Sequence, residues 1–261
     1  MINRQTRNLL AKARSLLSFQ QDMGVTDIPL TPEIEKFLFK KAAPTAPKKT
    51  AAPRKATGAG SSGSMFRPAP DSALGLPLAE IYQDIEGCTK CPLHNDREKI
   101  VPGEGPSGAS LFIVEDQPSL EDEQAGHPFA GEAGELFDKM MKAINLERAD
   151  VYLTSIVKCR PGGDRDPNPD EIRTCLAYLA RQIAAVNPAV ICAMGPISAR
   201  VLTGNNQSLF RFRGKFHDFH NTPLMPTFHP RFLLKNNEMK KGSWADLQLI
   251  QKKLGSRKPT K

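Results

Sequence analysis

Apolar and polar positions along the 261-residue chain change period several times. Near the start, Leu9, Leu10, Ala13, Leu16 and Leu17 recur at helical spacing. Thr31-Pro32-Glu33 opens a second short helix with proline at a tolerated first-turn position, so residues 1–40 read as a helical appendage. Residues 41–73 are mostly Ala, Pro, Lys, Gly, Ser and Thr. That composition buries too little apolar surface to offset chain entropy, and a disordered linker is expected there.

From residue 74 onward two periods alternate. Helical spacing marks 76–86, 132–145 (Leu136, Met140, Met141 and Ile144 on one face), 169–186, 196–202 and 243–254. The third of these has Asn168 as N-cap, Pro169 at the first helical position and Asp170 and Glu171 in the first turn. Short apolar runs at 109–114, 151–157, 189–194 and 224–228 predict strands. Strands separated by helices imply a parallel sheet covered on both faces, an α/β domain over 74–255 followed by a basic tail over 256–261. Ligands of such sheets bind where the strands end. Glu115-Asp116-Gln117-Pro118-Ser119, the stretch from Ser155 to Arg160, and that from Thr227 to Phe232 all fall at strand ends.

A net charge of +8 with a pI near 9.3 suggests a polyanionic partner, but its distribution alters that reading. Residues 41–70 carry +6 and residues 251–261 carry +5, neither with an acid, while residues 71–250 sum to −5. Flexible basic arms attract phosphates without defining a function, so a nucleic-acid face on the folded domain has to be local. The sequence has no cationic segment leading an apolar one and no apolar run of roughly 18 residues, and a soluble cytoplasmic protein is expected.

The five cysteines divide four to one. Cys192 lies inside an apolar strand and reads as a small buried hydrophobe. Cys88-Thr-Lys-Cys91 could hold one metal centre, with Cys159 and Cys175 supplying further thiolates. Spacing alone leaves zinc, an iron–sulfur cluster and unrelated reduced thiols all open.

Several motifs then fall in one order: Cys88-x-x-Cys91, Gly103-Glu-Gly-Pro106, the strand ending at Val114 with acids and Pro118 after it, Gly126-His-Pro-Phe-Ala-Gly131, Val157-Lys-Cys-Arg-Pro161, Asp166-Pro-Asn-Pro-Asp-Glu171, Cys175, and His229-Pro230. Over about 76–254 this order resembles the family 4 uracil-DNA glycosylases, the iron–sulfur members of the uracil-DNA glycosylase superfamily. The resemblance implies a three-layer α/β/α sandwich with a four-stranded parallel sheet. It also implies a [4Fe–4S] cluster on Cys88, Cys91, Cys159 and Cys175 that ties loops together near the DNA.

The implied activity is hydrolysis of the N-glycosidic bond of uracil, or of a related deaminated base, by a monomer acting on single- or double-stranded DNA. The N-terminal segment is a candidate for contacting a partner protein. Family positions give Asp116 the task of orienting water and His229 that of stabilising the departing base. Phe129 stacks on the base, and Gln117 and Ser155 border its edge. Arg231, Phe232 and Lys235 lie in the loop that enters DNA, and Arg211-Phe-Arg-Gly-Lys215 could add phosphate contacts.

Two motifs depart from the family. Its water-activating turn is Gly-Glu-Ala/Gly-Pro-Gly, against Glu115-Asp116-Gln117-Pro118-Ser119 here, and Ser155 stands where the family has an Asn that pairs with uracil. The alternative consistent with these departures is a DNA-binding protein that keeps the fold and has lost efficient excision.

Overall fold

The structure, a computed structural model, describes residues 77–255. The helical appendage, the linker and the basic tail expected from the sequence lie outside these residues. Helix α1 spans Leu78–Glu86 and leads through the Cys88 to Cys91 loop into a single 3-10 turn, Pro92–His94. Strand β1, Leu111–Glu115, is buried throughout. Ser119 caps the short helix α2, Leu120–Ala125. Its hydroxyl oxygen accepts the Asp122 N–H at 3.1 Å, and the Asp122 carboxylate accepts the Ser119 N–H at 2.7 Å, which satisfies two otherwise orphaned donors.

Helix α3, Gly131–Ala143, leads to β2, Val151–Ser155, and then to α4, Pro169–Val186, where the Glu171 carboxylate accepts the Asn168 N–H at 2.7 Å. Next come β3 (Val190–Met194), α5 (Pro196–Thr203), α6 (Leu209–Phe212), β4 (His217–Phe219), β5 (Thr222–Thr227), α7 (Pro230–Lys235) and α8 (Lys240–Gly255).

The sheet order is β2-β1-β3-β5-β4, with parallel pairing everywhere except between β4 and β5. The expected four parallel strands are therefore present, and β4 adds a short antiparallel edge. His220 and Asn221 form its turn with φ of 48° and 68°, the left-handed geometry that a two-residue hairpin favours. All five residues of β1, β2 and β3 are buried, as a sheet covered on both faces requires. Right-handed crossovers in opposite lateral directions, β1 to β2 and β2 to β3, set α3 and α4 on opposite faces.

The same reversal of direction puts the sheet's switch point at the carboxyl ends of β1 and β3, where ligands of such sheets bind. Strand β2 stops at Ser155, two residues short of the sequence expectation. The Ser155 hydroxyl donates to the Val157 carbonyl at 2.7 Å and the Lys158 amine donates to the Ser155 carbonyl at 2.6 Å, curling the chain out of the sheet.

Candidate active site and cysteine cavity

Asp116 follows β1 directly, at this switch point. Its Oδ1 accepts the Ser198 amide N–H at 2.6 Å, at the first turn of α5. Gly195, with φ of 129°, makes room for it: a Cβ there would lie 2.5 Å from the Asp116 carboxylate. Burial raises the Asp116 carboxyl to about 6, against the opposing pull of hydrogen bonds from Ser198 and Ile197.

Glu115, the last residue of β1, is fully buried and turns toward the end of β5. Its Oε2 lies 3.0 Å from His229 Nε2, and its Oε1 has no hydrogen-bond partner. Burial pushes this carboxyl well above its ordinary range, and Asp122 and Asp116 act in the same direction. His229 caps α7. Its Nδ1 accepts the Arg231 N–H at 3.1 Å, which places the imidazole proton on Nε2, facing Glu115. Burial, with Arg231 beside it, lowers the imidazole to about 3, so the ring is neutral.

Phe129 contacts two rings. It stacks with Phe137 at 4.4 Å and 20° and with His229 at 5.4 Å and 13°. Phe129 holds φ of 53°, and Arg148 fixes that loop by donating to the Pro128 carbonyl at 3.0 Å and to the Phe129 carbonyl at 2.5 Å. Arg148 is held in turn by Glu104 and Asp138. Gly134 completes the fit, since a Cβ at that position would overlap the Phe129 carbonyl oxygen.

The other expected site residues are arranged unequally. Ser155 is in register with Glu115 on the neighbouring strand, but its hydroxyl proton is committed to Val157. Gln117 donates through Nε2 to the Arg165 carbonyl at 3.0 Å, and its buried Oε1 has no partner. Arg231 projects its guanidinium to within 3.8 Å of Asp122. Phe232 rests on Phe228 at 5.0 Å, Leu233 is buried, and Leu234 is 36% exposed beside the exposed Lys235. The apolar side chain that α7 offers to solvent is therefore Leu234, which the sequence reading did not single out. Nothing in the sequence separates Glu115 from the rest of the acidic turn.

Cys88, Cys91, Cys159 and Cys175 line one cavity, brought there by the loop after α1, the exit of β2 and the middle of α4. Cys192 stays apart, buried in β3. Arg97 donates to the Cys159 sulfur at 3.3 Å and to the Cys88 carbonyl at 2.8 Å, and the buried Lys158 amine also borders the cavity. Burial raises the Cys91 and Cys159 thiols and takes Cys175 to about 11. Among the described residues, no three His, Cys, Asp or Glu side chains are grouped closely enough for a single metal ion. The four thiols are soft donors with Arg97 and Lys158 beside them to offset anionic thiolates, a donor set that could hold a metal centre.

Comparison with known proteins identifies the family. The family described as the Uracil DNA glycosylase superfamily matches residues 102–248. The chain is 32% identical over 191 residues to the Type-4 uracil-DNA glycosylase of Archaeoglobus fulgidus, covering 70% of this chain and 96% of that protein. It is 34% identical over 183 residues to the protein of that name from Pyrobaculum aerophilum, covering 67% and 93%. The corresponding protein from Thermotoga maritima is 36% identical over 176 residues, covering 66% and 92%.

Proposed function

This chain belongs to the Uracil DNA glycosylase superfamily, and from that membership we propose that it hydrolyses the N-glycosidic bond of uracil, or of a related deaminated base, in DNA. Such chemistry needs an extruded base, a surface to stack it on, a positioned water and a donor for the charge that develops on the departing base. The supporting observation is that a carboxylate, Asp116, follows β1 and a neutral imidazole with its proton on Nε2, His229, follows β5, the two strands flanking β3, with the ring of Phe129 stacked on that imidazole.

In this reading Asp116, steadied by the α5 amides, accepts a proton from the attacking water, and its carboxylate form is the working one. Catalysis then falls as the pH drops through about 6. His229 donates Nε2–H to the carbonyl oxygen of the leaving base, a neutral donor being able to stabilise an anion without first losing a charge. Phe129 supplies the stacking face, with Gln117 and Ser155 at the border of the base. Arg231, Phe232 and Lys235 meet the DNA around the gap. A [4Fe–4S] cluster, held by Cys88, Cys91, Cys159 and Cys175, supplies a structural tie between segments far apart in sequence.

The test is cleavage at the abasic site after incubation with single- and double-stranded oligonucleotides containing uracil, hypoxanthine or xanthine. Cleavage of at least the uracil substrate is expected. If excess protein with its metal centre intact retards these oligonucleotides but leaves all of them uncut, the chain is a DNA-binding relative without excision activity.

A further inference from the structure

Glu115 is a buried carboxyl with one oxygen unpartnered and the other on a ring N–H. An unsatisfied buried acceptor costs about 1–3 kcal/mol, a cost that structures tend to keep only where a ligand or a function meets it. The ring that meets the other oxygen also has a distinctive setting. The His229 imidazole lies 13° from parallel to Phe129, with centroids 5.4 Å apart and its N–H directed at Glu115. A flat ring stacked on Phe129 and donating an in-plane N–H to a carboxyl is the pose that a base would adopt against a reader of its edge.

The spacing decides between two ways in. A base slotted between Phe129 and His229 needs two stacking contacts of about 3.5 Å each, or roughly 7 Å between the flanking rings. The 5.4 Å present cannot hold it, so a base stacked on Phe129 has to take the imidazole's place. Ser155, in register with Glu115 on the next strand, has no hydroxyl proton to offer the base, since it is donated to Val157.

We propose that Glu115 reads the base: it accepts the ring N–H on the base's pairing edge, and His229 occupies that place until the base arrives. The proposal rests on the glycosylase reading above and deepens it by naming the substrate class, bases that carry a ring N–H on that edge. Uracil, hypoxanthine and xanthine have one. On displacement, His229 Nε2–H leaves Glu115 and becomes free to donate to the base's carbonyl oxygen, so one movement fills the reader and releases the donor.

The experiment compares single-turnover excision of uracil and of 3-methyluracil from otherwise identical single-stranded oligonucleotides, using the full chain with its metal centre. The methyl group replaces the N–H that Glu115 is assigned, and Glu115→Gln, of the same bulk, controls for the added volume. Wild type should favour uracil by roughly 100-fold or more, as sites built around a buried polar group do. Glu115→Ala should bring that preference to within about tenfold, chiefly by slowing uracil excision. Glu115→Gln keeps shape and an acceptor oxygen and should retain most of the preference, which separates reading from folding. An unchanged preference in Glu115→Ala overturns the proposal and leaves the glycosylase reading standing. Failure of wild type to excise uracil at all would remove both.

Discussion

Asp116→Asn should make the protein more stable and less active at once. In the folded chain burial raises this carboxyl from 3.8 to about 6. A shift of that size corresponds to about 3 kcal/mol of destabilisation above pH 6, because the folded state holds its proton more tightly than the unfolded chain does. The sign follows from the direction: stability is fullest when the group is protonated and is lost as pH rises from the unfolded value through the folded one. An amide carries no charge and can still accept from Ser198 N–H, although more weakly. Allowing about 1 kcal/mol for that weakening, Asp116→Asn gains about 2 kcal/mol at pH 7.5, or roughly 4–8 °C in Tm for a domain of this size. At pH 5 the wild-type charge penalty falls to about half, and the difference should shrink with it.

Excision should fall by roughly 10²–10⁴ if Asp116 is the base. Thermal melts at both pH values, alongside single-turnover excision at pH 7.5, measure the two effects. A variant that melts lower than wild type at pH 7.5, or that excises uracil at the wild-type rate, would refute the reasoning.

Other side chains give further expectations. Cys175→Ala should abolish the visible absorbance of an iron–sulfur centre and lower Tm; a colourless wild type containing zinc would contradict the cluster assignment, because Zn²⁺ is d¹⁰. Arg148→Met leaves the Pro128 and Phe129 carbonyls without their donor and should cost about 2–3 kcal/mol in chemical denaturation, with KM for uracil-containing DNA rising more than kcat falls. Leu234→Ala should slow excision from duplexes about tenfold and from single strands little, since a wedge matters only where stacked neighbours must be parted. Equal losses on both substrates would reassign Leu234 to general packing.

The parts of the fold that are legible from sequence are those with local signals. The run at 189–194 and the Asn168-Pro169 start of α4 carry their own periodicity and capping chemistry, and both elements form where expected. Helix α2 is harder to see because Leu-Glu-Asp-Glu-Gln-Ala has no apolar stripe; its only signal is Ser119 with Asp122 three residues on. Strand β4 is three residues long and depends on its turn and on β5. At the site, Asp116 and His229 are legible through the motifs around them. The Glu115 to His229 bond is not, because it joins residues 114 apart and exists only once β1 and β5 lie in one sheet. Leu234 escapes notice for a similar reason: helical phase decides which of two adjacent leucines α7 buries, and Leu233 is the one packed inside.

The measurement that bears most directly on the central claim is the amount of free uracil released from a uracil-containing single strand by a molar excess of the full chain, quantified by mass spectrometry alongside DNA retardation and the visible spectrum of the same preparation. Stoichiometric uracil, with an abasic strand left behind, is the predicted result. Bound DNA, an intact metal centre and no free uracil would contradict it.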